Sequence, residues 1–94
     1  GFILKKNNER VNLSVKEFEI LAFLVKNSGK PFSPDELYAR VWGNSYGDLT
    51  TVGVYIQRLR KKIEQNPGEP AIIQTIHGRG YRFNDECLGR GRRR

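Results

Sequence analysis

Residues 49–66 read LTTVGVYIQRLRKKIEQN, and a single helix with two unlike flanks accounts for them. Val52, Ile56, Leu59 and Ile63 fall at i, i+4, i+7 and i+11, a spacing that stacks them in one apolar stripe. At about 100° per residue, Thr50, Val54, Gln57, Arg58 and Lys61 project from the other side. That side is positive and polar, with one β-branched apolar residue, Val54, in its middle. Its chemistry suits the major groove of duplex DNA. Arginine bonds guanine bidentately, glutamine bonds adenine, and a small apolar group meets a thymine methyl. A solvated helix that is merely basic would look much the same. The helix alone leaves both readings open.

Length and composition narrow the choice. The 94 residues make one small domain with a modest core. A hydrophobic content of 37% and a mean hydropathy of −0.62 fit a soluble globular chain, and no apolar run is long enough to cross a membrane. Residues 1–6 lack the long apolar segment of a signal peptide. Cys87 is the only cysteine, so it forms no internal disulfide, and with one histidine it cannot complete a zinc site. A reducing, cytoplasmic location is therefore expected, with no metal and no cofactor. Paired carboxylates, a nucleophile–base set and a phosphate-cradling glycine loop are not visible, which argues against an enzyme. His77 stands alone on a turn, the place of a contact or solvent residue rather than a catalyst.

Charge is segregated. The net charge is +7 and the pI near 9.9, which favours a polyanionic partner. Residues 14–47 hold four basic and four acidic side chains and are neutral. Residues 49–66 set four basic groups against one acid, and residues 72–83 add Arg79 and Arg82 with no acid. Positive charge thus gathers on two elements, which a merely solubilising charge would not do.

Outward from the basic helix, the chain opens with Phe2-Ile3-Leu4 and Val11-Asn12-Leu13 around Asn7-Asn8, a pattern for two short antiparallel strands. The abrupt start in a strand suggests that preceding residues were removed. Ser14-Val15-Lys16-Glu17 is a capping box that starts a first helix. Its expected buried stripe is Phe18, Leu21, Ala22 and Val25, widened by Leu24, and Ser28-Gly29-Lys30-Pro31 stops it. Ser33-Pro34-Asp35-Glu36 starts a second helix with Leu37, Tyr38 and Val41 on its buried side and Gly43 at its end. Trp42 at that junction reads first as a core aromatic, although a buried ring can still turn its indole N–H outward. Asp48 either caps the third helix or precedes its cap. Helix, loop and basic helix together form a helix-turn-helix-like unit with an enlarged turn. After Asn66-Pro67-Gly68, Ile72–Ile76 and Tyr81–Phe83 read as a hairpin tipped by His77-Gly78-Arg79-Gly80. Two glycines around an arginine make a thin finger that can enter a minor groove, or a plain turn bearing solvated charge.

These residues resemble the winged-helix effector domains of OmpR/PhoB-type response regulators, from about residue 13 to residue 83. The resemblance rests on Leu13-Ser14 with Glu17-Phe18, Val41-Trp42-Gly43, Thr51-Val52, and the run from Ile56 to Ile63. Ile73-Gln74-Thr75 leading to Gly78-Arg79-Gly80-Tyr81-Arg82-Phe83 completes it. It implies an α+β winged helix-turn-helix with N-terminal antiparallel strands, three helices and a C-terminal hairpin wing. It implies sequence-specific binding of double-stranded promoter DNA as the output domain of a two-component regulator. The third helix would lie in the major groove and the wing in the minor groove. Relatives of this kind carry a receiver domain and pair head-to-tail on direct repeats, so a chain that is monomeric alone and a tandem dimer on DNA is expected, with no membrane partner.

By the same resemblance, Arg58 and Val54 are the leading base contacts, with Thr51, Tyr55 and Gln57 beside them. Trp42, Thr50, Arg60, Lys61, Lys62, Thr75 and Tyr81 are candidate phosphate contacts, and His77 or Arg79 would enter the minor groove. Asn44, Ser45, Tyr46 and Gly47 correspond to a loop that some relatives turn toward RNA polymerase. Four positions depart from the family pattern. Thr50 stands where arginine is usual, Gly53 where aspartate is, and Tyr55 where histidine is, while His77 takes the place of the minor-groove arginine. A mid-helix glycine costs about 1 kcal/mol relative to alanine. The winged-helix domain is expected over residues 1–83, with a basic, disordered tail over residues 84–94. Non-specific nucleic-acid binding and a protein-interaction winged helix are the alternatives that the residues leave open.

Overall fold

Two antiparallel hairpins flank three helices in the computed structural model, which describes residues 2–6, 9–44 and 47–88. The order is β1 (Phe2–Lys6), β2 (Glu9–Leu13), α1 (Val15–Lys26), α2 (Pro34–Trp42), α3 (Thr50–Ile63), β3 (Ile73–Ile76) and β4 (Gly80–Phe83). In the first hairpin Phe2 pairs with Leu13 and Lys6 with Glu9; the expected Asn7-Asn8 turn lies outside the described residues. In the second, Ile73 pairs with Phe83 and Ile76 with Gly80.

Local chemistry sets the helix ends. Ser14 and Ser33 each accept a hydrogen bond from the backbone N–H three residues on, and Glu17 and Glu36 reach back to the serine N–H groups. α2 ends on Gly43 in the left-handed region at φ 84°. α1 ends earlier than the expected glycine stop. Asn27 is its cap, and the Asn27 amide donates to the Phe23 carbonyl at 2.9 Å.

The core gathers Leu13, Ile20, Leu24, Leu37, Val52, Ile56, Leu59, Ile63, Ile73 and Phe83 with Phe32. All four members of the expected α3 stripe are in it. Each such side chain contributes about 1.5–3 kcal/mol on burial. The stripe expected on α1 is corrected: Ile20 and Leu24 face inward with Glu17, while Phe18 and Ala22 are exposed. Residues 20–25 of α1 are apolar without a break, so periodicity could not set the phase.

Glu17 turns inward because Lys62 of α3 meets it there. The Lys62 ammonium donates to Glu17 Oε1 at 2.6 Å and to the Asn12 carbonyl at 3.0 Å, tying α3 to α1 and β2. Burial pushes the Glu17 carboxyl up, but the Lys62 ammonium and the Ser14 N–H outweigh it and hold the group below its ordinary value. A carboxyl depressed in the folded state contributes stability above the unfolded value, and that contribution is lost as pH falls through the folded one. Glu17→Gln is therefore expected to flatten the pH dependence of stability over roughly pH 5 to 3. Urea midpoints followed across that range check it. An undiminished slope would remove Glu17 from acid denaturation.

The second hairpin is tied by its backbone to the segment between α1 and α2. Phe32 and Tyr81 exchange both backbone hydrogen bonds, at 2.8 and 2.9 Å, adding a single bridge to β4. At Gly80, with φ +114°, a side chain would run into the Phe32 carbonyl, so glycine is required there. Beyond Phe83 the chain packs back on the root of the hairpin. Asp85–Leu88 forms a 3-10 turn, with Asn84 donating from its backbone to Ile72 O and from its side chain to Ala71 O. Only residues 89–94 of that segment lie outside the described part.

Candidate nucleic-acid interface

α3 is clamped from behind, and the clamp decides which of its cations face outward. Arg60 is only 8% exposed. The Arg60 guanidinium donates from Nε and Nη2 to the Ile73 carbonyl at 3.1 and 2.8 Å, and from Nη2 to Thr75 Oγ1 at 2.7 Å. Its Cζ lies 5.5 Å from the Tyr81 ring centroid. Burial pulls the Arg60 pKa below its ordinary value, with Tyr81 and Glu64 acting against the fall. One turn on, Glu64 is 2% exposed. Its carboxylate accepts from Ala71 N, Ile72 N and Ile73 N at 2.7–3.0 Å. Ile73 is thus gripped by its carbonyl through Arg60 and by its N–H through Glu64. The hairpin root cannot shift against α3 without breaking one of them.

Away from the clamp, Thr50, Val54, Gln57, Arg58 and Lys61 are all exposed. Val54, at 46%, is among the most exposed large apolar side chains. Among the described residues, Arg58, Lys61 and Arg79 have no acidic partner. Thr51 and Tyr55 are half-buried at the edges of this face. At the hairpin tip His77 and Arg79 are both exposed, with Gly78 between them at φ 73°. Between Gln57 and Arg60 of α3, residues 67–70, and Gln74 and Arg82 of the hairpin lies an open groove of about 850 Å³.

Three of the expected phosphate contacts have hydrogen-bond partners inside the fold. Arg60 donates from Nε and Nη2 to β3, and Lys62 donates to β2 and α1. The Thr50 hydroxyl is held by Asp48 Oδ1 at 2.6 Å, and the same carboxylate accepts the Thr50 N–H at 3.0 Å. Asp48 therefore precedes the cap residue Leu49 yet supplies the capping oxygen. Those hydrogen bonds hold the Asp48 carboxyl below its ordinary value. Lys61 and Thr75 remain exposed, and Trp42 and Tyr81 are half-buried. Because Thr75 Oγ1 accepts from Arg60, its own hydrogen can point outward. Of the loop residues, Asn44 and Gly47 are exposed, and Ser45 and Tyr46 lie outside the described residues.

Composition and periodicity missed Glu64 and the ring stack beside α3. Tyr38 stacks on Trp42 at 4.9 Å, Trp42 meets Tyr55 edge-on at 5.6 Å, and Arg58 Cζ lies 5.1 Å from the Tyr55 ring centroid. A signal for Glu64 was present. A carboxylate at a helix C-terminus opposes the helix dipole, so it needs other donors.

The family model described as "Transcriptional regulatory protein, C terminal" matches residues 8–83. The chain belongs to that family. Its OmpR/PhoB-type character is carried by the solved structures it resembles. The response regulator DrrB of Thermotoga maritima, an OmpR/PhoB homologue, superposes with a TM-score of 0.74 at 40% identity, over 82% of this chain and 35% of that one. The Klebsiella pneumoniae RstA DNA-binding domain, solved in complex with the RstA box, gives 0.72 at 37% identity, over 81% of this chain and 76% of that one. Among curated relatives, the sensory transduction protein RegX3 of Mycolicibacterium smegmatis is 41% identical over 82 residues, 86% of this chain and 36% of its own length. The chain thus spans about a third of the curated relatives it matches. The family is one of transcriptional regulators rather than enzymes. Among the described residues no helix is long and apolar enough to cross a membrane, and no cluster of three metal-ligating side chains occurs.

Proposed function

We propose that this OmpR/PhoB-type effector domain binds double-stranded promoter DNA in a sequence-specific manner, as the output end of a two-component regulator in the cytoplasm. The observation that carries it is the outward face of α3, where the exposed Val54 is followed by exposed Arg58 and Lys61, neither with an acidic partner among the described residues. Val54 and Arg58 read base edges in the major groove, with Thr51, Tyr55 and Gln57 at the margins. Lys61, Thr75, Trp42 and Tyr81 meet the flanking phosphates, and the His77–Arg79 tip enters the neighbouring minor groove. Two copies bind head-to-tail on direct repeats, and the loop at 44–47 faces RNA polymerase.

Selection from a random duplex pool, followed by affinities at several salt concentrations, tests this. An enriched direct repeat is expected, bound at least about 10³-fold more tightly than random duplex at matched salt. Each neutralised phosphate contributes about −0.9 to the slope of log affinity against log salt. A pool that fails to enrich, with equal affinity for all duplexes, would reduce the domain to a non-specific binder.

A further inference from the structure

We infer that Tyr55 is a positioning residue that holds the Arg58 guanidinium in its base-reading pose, which makes Tyr55 a determinant of specificity rather than only an edge contact. The inference rests on the base-reading role of Arg58 proposed above. Tyr55 and Arg58 are i and i+3 on α3, neighbours on the helix surface. The guanidinium sits over the ring face, with Cζ 5.1 Å from the centroid.

This kind of support suits a reading arginine. A ring face attracts the cation without serving as a hydrogen-bond acceptor in the way a carboxylate does, so the guanidinium N–H donors stay available for a guanine edge. A carboxylate partner would occupy those same donors. An unsupported arginine must also give up rotamer freedom when it docks, whereas one already resting on a ring has given up part of it beforehand.

The ring is itself held from behind. Tyr55 is half-buried and meets Trp42 edge-on at 5.6 Å with planes at 64°. Trp42 lies parallel to Tyr38 at 4.9 Å, and Lys16 Nζ is 5.4 Å from the Trp42 centroid. At the far end, the Gly47 backbone lies so close to the Tyr38 ring that a side chain there would collide with it. The stack therefore runs from the α2–α3 loop through three rings to the arginine. A histidine or leucine at position 55 would offer a smaller ring, or none, to the cation.

The experiment uses the selected duplex and a second one altered at the base step where Arg58→Ala relaxes preference. Tyr55→Phe keeps the ring and should retain discrimination at that step. Tyr55→Leu should lower it about two- to fivefold. Full discrimination in Tyr55→Leu, or an equal loss in Tyr55→Phe, overturns the inference. Arg58→Ala separates the two layers, because a variant with no relaxed step rejects the base-reading role itself. A measurement on the unaltered protein stands apart from folding of the variants. Proton NMR should show the Arg58 δ-protons shifted upfield by ring current relative to those of Arg79, and coincident shifts would overturn the pose.

Discussion

Replacing Glu64 with alanine is expected to lower the stability of the domain by about 3–4 kcal/mol, a large fraction of the roughly 5–15 kcal/mol that such a domain has. The Glu64 carboxylate is the acceptor for three consecutive N–H groups, those of Ala71, Ile72 and Ile73. Removing it leaves three donors without their partner, and each buried one costs about 1–3 kcal/mol. The lower end applies because Ala71 is exposed and Ile72 half-buried, so water reaches part of the site. Ile73 is buried and bears most of the loss. Glu64→Gln should fall between, since its single carbonyl oxygen replaces two acceptors and its amide N–H₂ opposes the remaining donors. Urea unfolding checks both variants: the midpoint should fall while the m-value stays constant. A loss in Glu64→Ala below about 1 kcal/mol would mean that water replaces the carboxylate and that the clamp is not a stability element.

The same clamp explains why the site was only partly legible in the sequence. The greasy flank of α3 was readable, because Val52, Ile56, Leu59 and Ile63 repeat at helical spacing and nothing competes with them for the core. The capping boxes at Ser14 and Ser33 were readable because their partners are three residues away. Arg60 reads from the resemblance as a phosphate contact, and its place four residues after Ile56 puts its stem on the buried flank. Its partners are the Ile73 carbonyl and the Thr75 hydroxyl, 13 and 15 residues on. The internal partners of Lys62 were hidden for a similar reason, Asn12 and Glu17 lying 50 and 45 residues back. Charge type tells what a side chain can bond, and periodicity tells which flank it leaves from. Neither tells which strand or helix waits there. On α1 even the flank was ambiguous, because an unbroken apolar run fits several phases, of which the fold buries the one with Glu17, Ile20 and Leu24 inward.

Arg58→Ala is the second large expected effect, and its signature is selective. The guanidinium is exposed, has no acidic partner among the described residues and leaves α3 on the side away from the core. Its removal should leave folding intact while lowering affinity for the selected duplex by about 1–3 kcal/mol and relaxing preference at one base step. Arg58→Lys separates charge from geometry. Lysine keeps the positive charge, so the salt slope and the affinity for random duplex should hold. It lacks the planar fork, so the preference at that step should still be lost. Lys61→Ala should show the opposite pattern, weakening all duplexes alike and flattening the salt slope by roughly one unit. Competition titrations over the selected site, its single-step variants and random duplex resolve the three. If Arg58→Ala weakened every duplex equally, as Lys61→Ala should, Arg58 would be a phosphate contact. The selectivity of α3 would then have to come from Val54, Gln57 and the shape of the groove.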